Sequence, residues 1–285
     1  MQPQQPVQLT VEAVPDMLDV IDLRLEEWVL TSTRYVDAAR PHLVFIVDTP
    51  QLADIQALIT HIDAHATQRV MKLADIDWVE KVQKDFPPFE LGSFYIYGSH
   101  AKDTLPKNRH ALLIDAVSAF GTGEHSTTAG CLLALEAIKK KRPYVEAVVD
   151  VGCGTAILAI GAARLWKNAR IAGCDNDPKA VKVSRINLKV NAIASRSKAW
   201  VSDGYRDRKM QLLGKQPVVV ANILARPLMK MARAAANQLA PGGLLVLSGL
   251  LNSQENMVLN AHRMQGLYLV QRMRRGKWSI LVLKN

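Results

Sequence analysis

Cysteine is scarce in this chain. Its 285 residues include three, Cys131, Cys153 and Cys174, an odd number with no C-x-x-C spacing. That pattern excludes a disulfide framework or a cysteine-built zinc site and predicts reduced thiols in a cytosol. Long uncharged apolar runs are missing too: the most apolar window, residues 147–166, carries Asp150 and Arg164, and nothing approaches the ~20 residues a membrane-crossing helix needs. The opening Met-Gln-Pro-Gln-Gln-Pro has no basic n-region and no apolar h-region, so a frayed tail is expected there, with no export signal. The chain is therefore expected to be cytoplasmic and to have no membrane partner. His61 and His65 stand four apart, as metal ligands can, but no third ligand or suitably spaced Glu accompanies them, and no metal is expected.

A composition of 49% hydrophobic and 22% charged residues supports a sizeable core, and the length suits one large plus one small domain. The net charge of +10 is unevenly spread. Residues 1–75 hold eleven acids and five bases, a balance of −6, whereas residues 76–285 hold thirty-one bases and fifteen acids, a balance of +16. Opposite signs on two segments point to two domains with different partners, since single-sign fields steer association. Strand and helix patterns mix over residues 8–73, as in a small α+β domain with helices on one sheet face. Phe86-Pro87-Pro88-Phe89 cannot continue a helix, so a boundary is placed near it. The organisation read from this is 1–75 a small α+β domain, 76–90 a linker, and 91–285 the main domain.

In the main domain, apolar strand patterns at 148–151, 171–175, 199–202, 218–222 and 244–247 alternate with helical ones. Such alternation predicts an α/β fold, a doubly wound and mostly parallel sheet with helices on both faces. The tail differs: residues 267–273 and 278–283 flank a short Arg274-Arg275-Gly276-Lys277 turn, so the sheet is expected to end in an antiparallel hairpin.

The richest stretch is Asp150-Val151-Gly152-Cys153-Gly154-Thr155-Ala156-Ile157, which reads as strand, tight loop and helix. Gly152 and Gly154 have no Cβ to keep a ligand from the main chain, and the next helix offers unpaired N–H groups and the positive end of its dipole. A nucleotide-like cofactor is the first expectation. The dinucleotide fingerprint is incomplete, because Ile157 stands where its third glycine belongs. Asp175, 23 positions after Gly152 and at the end of the second strand, is where such folds place a carboxylate on ribose hydroxyls. Asp177 reads as an acid at a helix N-terminus. Earlier, Gly121-Thr122-Gly123-Glu124-His125-Ser126-Thr127-Thr128 makes a flexible loop feeding a helix start, suited to closing over a ligand.

Together these residues resemble the ribosomal protein L-eleven methyltransferases. The resemblance rests on Ala119-Phe120-Gly121-Thr122-Gly123 with His125 and Thr127-Thr128, on Asp150-Val151-Gly152-Cys153-Gly154, on Asp175-Asn176-Asp177-Pro178, on Val219-Val220-Ala221-Asn222-Ile223-Leu224-Ala225 with Pro227-Leu228, and on Leu247-Ser248-Gly249-Leu250 with Gln254 and Trp278. It runs from about Asp77 to the end; residues 1–75 match in size and pattern only. It implies a class I, S-adenosylmethionine-dependent protein methyltransferase with a seven-stranded sheet, modifying lysine side chains or the N-terminal amine of the ribosomal protein. Its cofactor contacts fall on Thr128, Gly152, Asp175 and Asn222, joined by Gly154 from the loop itself, with Asn222 the catalytic residue. The acidic first domain would dock the basic substrate protein, the basic domain would sit beside ribosomal RNA, and the enzyme would be a monomer. Rival readings are the same fold acting on another lysine or small amine, and a non-catalytic cofactor- or RNA-binding module carried by Lys139 to Arg142 and Arg272 to Lys277. Two departures stand out: Ala156 where the family has glycine, expected to be comfortable in a first helical turn, and Val117-Ser118 where the family has a Pro-Gly or Ala-Gly pair.

Overall fold

A computed structural model of the chain describes residues 6–25, 28–29, 31–35, 40–72, 88–114 and 126–285. Most of the expected linker, and the loop containing Val117, Ser118, Phe120, Gly121, Gly123 and His125, lie outside them. The chain forms two compact units, Met1–Val82 and Gln83–Asn285.

The first unit contains β1 (Val7–Glu12), α1 (Pro15–Leu25), β2 (Thr31–Tyr35), β3 (His42–Val47), α2 (Leu52–Ile62) and β4 (Thr67–Lys72). The strands pair antiparallel in the order β2-β3-β1-β4. Alternation in β1 and β3 sends Val7, Leu9, Val11, Leu43, Phe45 and Val47 to one face. That face is covered by Leu18, Ile21 and Leu25 of α1 and by Ile55 and Ile59 of α2, giving one closed core.

The second unit opens with β5 (Phe89–Leu91), β6 (Phe94–Tyr97) and β7 (His110–Leu113), a small sheet in which β6 pairs antiparallel with β5 and parallel with β7. There follow α3 (Ser126–Lys141), β8 (Ala147–Val151), α4 (Ile157–Leu165), β9 (Arg170–Asp175), α5 (Pro178–Val190), β10 (Ser197–Val201), α6 (Arg208–Leu212), β11 (Gln216–Asn222), α7 (Ala225–Lys230), α8 (Ala232–Gln238), β12 (Leu239–Leu251), α9 (Glu255–Arg263), β13 (Tyr268–Arg275) and β14 (Trp278–Lys284). The main sheet runs β10-β9-β8-β11-β12-β14-β13. Its first five strands are parallel, and β14 lies antiparallel between β12 and β13. This is the seven-stranded arrangement expected from the sequence.

The helical stretch read over 227–239 is two helices, α7 and α8, separated at Met231, whose φ of −93° and ψ of 0° break the regular path. Strand β12 is longer than the expected 244–247, because Pro241-Gly242-Gly243 continues it through a register shift.

All five residues of β8 are buried, Val148 against one layer of helices and Val149 and Val151 against the other. The small sheet is fastened to this body by Asn191, which accepts from Leu113 N at 3.0 Å and donates to Leu113 O at 2.7 Å. From β8 the chain builds β9 and β10 on one side and returns to β11 on the other. The topological switch point therefore lies at the carboxyl ends of β8 and β11, where open α/β sheets bind ligands.

Candidate active site

Three left-handed residues in five fold the loop after β8: Gly152 at φ +74°, Gly154 at +52° and Ala156 at +65°. Gly152 N and Cys153 N both donate to Cys174 O, at 2.8 and 3.0 Å, which ties the loop to the end of β9. Gly154 N donates to Asp175 Oδ2 at 2.9 Å, while Asp175 Oδ1 accepts from Asp177 N at 3.0 Å. From α5, Ser184 Oγ donates to Gly154 O at 2.7 Å and Asn187 Nδ2 to Thr155 O at 2.9 Å. The loop is thus held by hydrogen bonds on its far side, leaving its near side open. Asp177 caps α5 through Lys179 N at 2.8 Å, and Pro178 starts that helix.

Ala156 corrects one expectation. It is the N-cap of α4 with left-handed backbone, not a residue of the first helical turn. A Cβ at that φ costs roughly 1–2 kcal/mol, so glycine is the unstrained choice at this position.

Across the switch point, Asn222 ends β11 and its Nδ2 donates to Thr128 Oγ1 of α3 at 3.2 Å, joining residues 94 positions apart. Thr128, Gly152, Gly154, Asp175 and Asn222 all line one cavity of about 410 Å³, a volume typical of small-molecule sites. Every site residue expected from the sequence faces this space. Ile223, Leu224, Gly249 and Trp278 complete its walls. A larger groove, about 640 Å³, follows the free edge of β10. Size does not choose between them; the glycine loop and the strand carboxyl ends do.

Two contributors stood inside the sequence motifs without a role of their own. Gly249, at φ +84°, lies so close to the Ile223 main chain that an added Cβ would collide with its carbonyl. In the sequence it closes an apolar run and belongs to the Leu247-Ser248-Gly249-Leu250 motif. Asp150 is 1% exposed; its Oδ2 accepts from Ala159 N at 3.1 Å and its Oδ1 has no hydrogen-bond partner. Burial pushes its carboxyl up to about 7, the Ala159 N–H opposing the rise and the Asp175 charge adding to it. An acid interrupting an apolar strand was the signal for it.

The site offers no thiolate. Cys131, Cys153 and Cys174 are free and buried, and burial raises all three thiols, Cys174 to about 12. Among the described lining residues the titratable ones are Cys153 and Asp175, with no His, Lys or Glu. No group of three His, Cys, Asp or Glu residues among the described residues could hold a metal ion. Nor is any helix there long and apolar enough to cross a membrane.

A family model described as ribosomal protein L11 methyltransferase (PrmA) matches residues 23–285. The chain belongs to this family. The match takes in most of the first unit, so the likeness extends further forward than the resemblance in motifs. A relative from Allorhizobium ampelinum, named ribosomal protein L11 methyltransferase, is 35% identical over 276 residues, 94% of both proteins. One from Caulobacter sp. strain K31 bearing the same name is 42% identical over 213 residues, 74% of this chain and 72% of its own length. In fold, the family member resembles a crystal structure of a ribosomal protein L11 methylase from Lactobacillus delbrueckii subsp. bulgaricus, with a TM-score of 0.60 at 24% identity, over 69% of this chain and 96% of that one.

Proposed function

We propose that the chain transfers methyl groups from S-adenosylmethionine to amino groups of ribosomal protein L11, on lysine side chains, the N-terminal amine or both. The observation that carries this reading is the Asn222 amide fixed by Thr128 above a loop whose near face is bare main chain. The cavity suits the cofactor: at Gly152 the bare main chain lies so close to the Ile223 side chain that a Cβ would collide with it, and Asp175 faces the same cavity with lone pairs beyond those used by Gly154 and Asp177. Gly152, Gly154, Asp175, Thr128 and Asn222 would hold it. When bound, S-adenosylmethionine supplies an electrophilic methyl group on a positively charged sulfur.

The chain's own residues do the rest by position. A lysine near pKa 10.4 costs about 4.6 kcal/mol to present as the neutral amine at pH 7, and an α-amine near 7.7–8.0 about 1–1.4 kcal/mol. With Nδ2 engaged by Thr128, Asn222 Oδ1 is left to accept a hydrogen bond from the incoming amine and to orient its lone pair. Ile223, Leu224 and Trp278 give the cavity an apolar wall that favours the uncharged nucleophile. The described lining contains no His, Lys or Glu, and Asp175 is engaged by Gly154 N and Asp177 N, so proton removal is assigned to solvent before the amine enters.

The reading extends to organisation. Residues 1–75, with their −6 balance, dock the basic substrate protein; 76–90 link; and 91–285 carry the reaction. The basic second unit contacts RNA, and the enzyme works as a cytoplasmic monomer with its cysteines reduced. The test uses labelled S-adenosylmethionine and purified L11. Wild type is expected to label L11, and Asn222→Ala to lower kcat by about 10²–10³ with unchanged thermal unfolding. Near-normal turnover of the variant overturns the role of Asn222. Labelling of another protein or a small amine in place of L11 overturns the substrate, and no labelling at all overturns the activity.

A further inference from the structure

At the opposite ends of the parallel strands, before β8 and β9, lies a second cavity of about 390 Å³ lined by His110, Lys139, Tyr144, Arg164 and Lys167 among others, with no Asp or Glu in its lining. Two of its cations are held by neutral acceptors. Lys139 Nζ donates to Pro143 O at 2.6 Å, and Arg164 donates to Ala111 O at 3.1 Å and Asn191 O at 3.0 Å. These bonds fix the side chains in place without cancelling their charge. The neighbouring carboxylates are spoken for elsewhere: Glu136 pairs with Lys140 at 3.6 Å and Glu90 with Arg109 at 2.9 Å. Glu146, just past the cavity wall, is exposed. Arg196 adds a further charge behind the wall, bonded to the carbonyls of Ala163, Trp166 and Ala169. The concentration of positive charge shows on its members: burial and then Lys167 and Arg164 push the His110 imidazole below its ordinary value, against an opposing pull from Glu136. At the rim stands Tyr144, an aromatic side chain 74% exposed.

Cations at helix C-termini commonly do no more than balance the dipole. Here α3 and α4 both end at the cavity, yet the concave shape, the absence of an acid and the exposed ring exceed that need. We infer that this cavity is a phosphate-binding site that takes the phosphodiester backbone of single-stranded RNA, with a base stacked on Tyr144 and its phosphate among Lys139, Arg164 and Lys167. It deepens the RNA contact proposed above by giving it a place, and it lies at the far end of the sheet from the glycine cradle.

The experiment is fluorescence anisotropy of a labelled twelve-nucleotide RNA with the full chain, across a salt series. Lys167→Ala is expected to weaken binding about fivefold and to lower the slope of log affinity against log salt by about 1. Tyr144→Ala is expected to weaken it about tenfold. Lys209→Ala, an exposed lysine removed elsewhere on the same unit, should change it less than twofold. Methyl transfer to L11 by Lys167→Ala and Tyr144→Ala should equal wild type, which separates this site from the reaction. Equal losses for Lys167→Ala and Lys209→Ala overturn the site in favour of diffuse charge. Full displacement of the RNA by about 10 mM inorganic phosphate, with Tyr144→Ala silent, overturns RNA in favour of free phosphate. Polyglutamate binding as tightly as RNA overturns it in favour of an acidic protein, and no RNA binding at low salt overturns it outright.

Discussion

The two ends of the parallel strands are built from opposite materials. At the carboxyl ends of β8 and β11 the chain removes side chains: Gly152, Gly154 and Gly249 expose main chain to the cavity, and the few polar groups present, Thr128, Asp175 and Asn222, are each placed by hydrogen bonds or strand ends. At the amino ends of β8 and β9 it adds them, with Lys139, Arg164 and Lys167 crowding one concavity and the first two resting on backbone carbonyls. The first design admits a close, shaped ligand; the second offers charge at longer range. A substitution should therefore act through sterics at one end and through electrostatics at the other.

The largest effect is expected from adding one methyl group at the carboxyl end. Gly249→Ala forces a Cβ at φ +84° onto the Ile223 main chain, next to Asn222. We expect about 3 kcal/mol of lost stability from the left-handed strain and overpacking, and at least tenfold weaker binding of S-adenosylmethionine. Urea denaturation and calorimetric titration measure the two. Unchanged binding would break the contrast, since it would mean the main chain there does not need to approach a ligand.

A smaller effect tests the hidden charge behind the same end. With its folded-state carboxyl raised to about 7 against 3.8 unfolded, Asp150 holds a proton in the folded protein that the unfolded chain releases between those values. Its contribution therefore favours the folded state below about pH 4 and is lost as pH rises toward 7. Asp150→Asn keeps an oxygen for Ala159 N and removes the titration. Its thermal midpoint relative to wild type should climb between pH 4 and 7 and then level off; a constant difference over that range would show that Asp150 stays ionised.

The smallest is a gain. Ala156→Gly relieves left-handed strain of about 1–2 kcal/mol but adds freedom to the unfolded chain worth roughly 0.5–1 kcal/mol. The expected result is a rise of a few tenths to about 1 kcal/mol in stability by urea denaturation, with cofactor affinity unchanged. A loss of stability would mean that the buried Ala156 methyl contributes more packing than its backbone costs.

Much of this was legible beforehand because periodicity and glycine spacing are local. The turn from β8 into α4, the acid ending β9, the alternation that makes the sheet parallel and the closing hairpin all announce themselves over a few residues. What stayed hidden depends on contacts made at a distance. Strand β2, Thr-Ser-Thr-Arg-Tyr, has no apolar alternation and exists because β3 offers it an edge. The left-handed turn at Ala156 is imposed by a loop tied to Cys174, Asp175, Ser184 and Asn187, none of them near in sequence. Gly249 matters because of where Ile223 lies, and Asp150 because of what surrounds it. For the five expected site residues, the sequence supplied the identities and the strand order supplied their convergence.

One consequence of strand order concerns timing during synthesis. Strand β14, which brings Trp278 to the cavity, is made after β13 yet sits inside the sheet between β12 and β13. Until it emerges from the ribosome, β12 has an open edge and the cavity lacks a wall. An enzyme built in this order has a finished cavity wall only once β14 has been made and inserted beside β12, after β13 is already in existence.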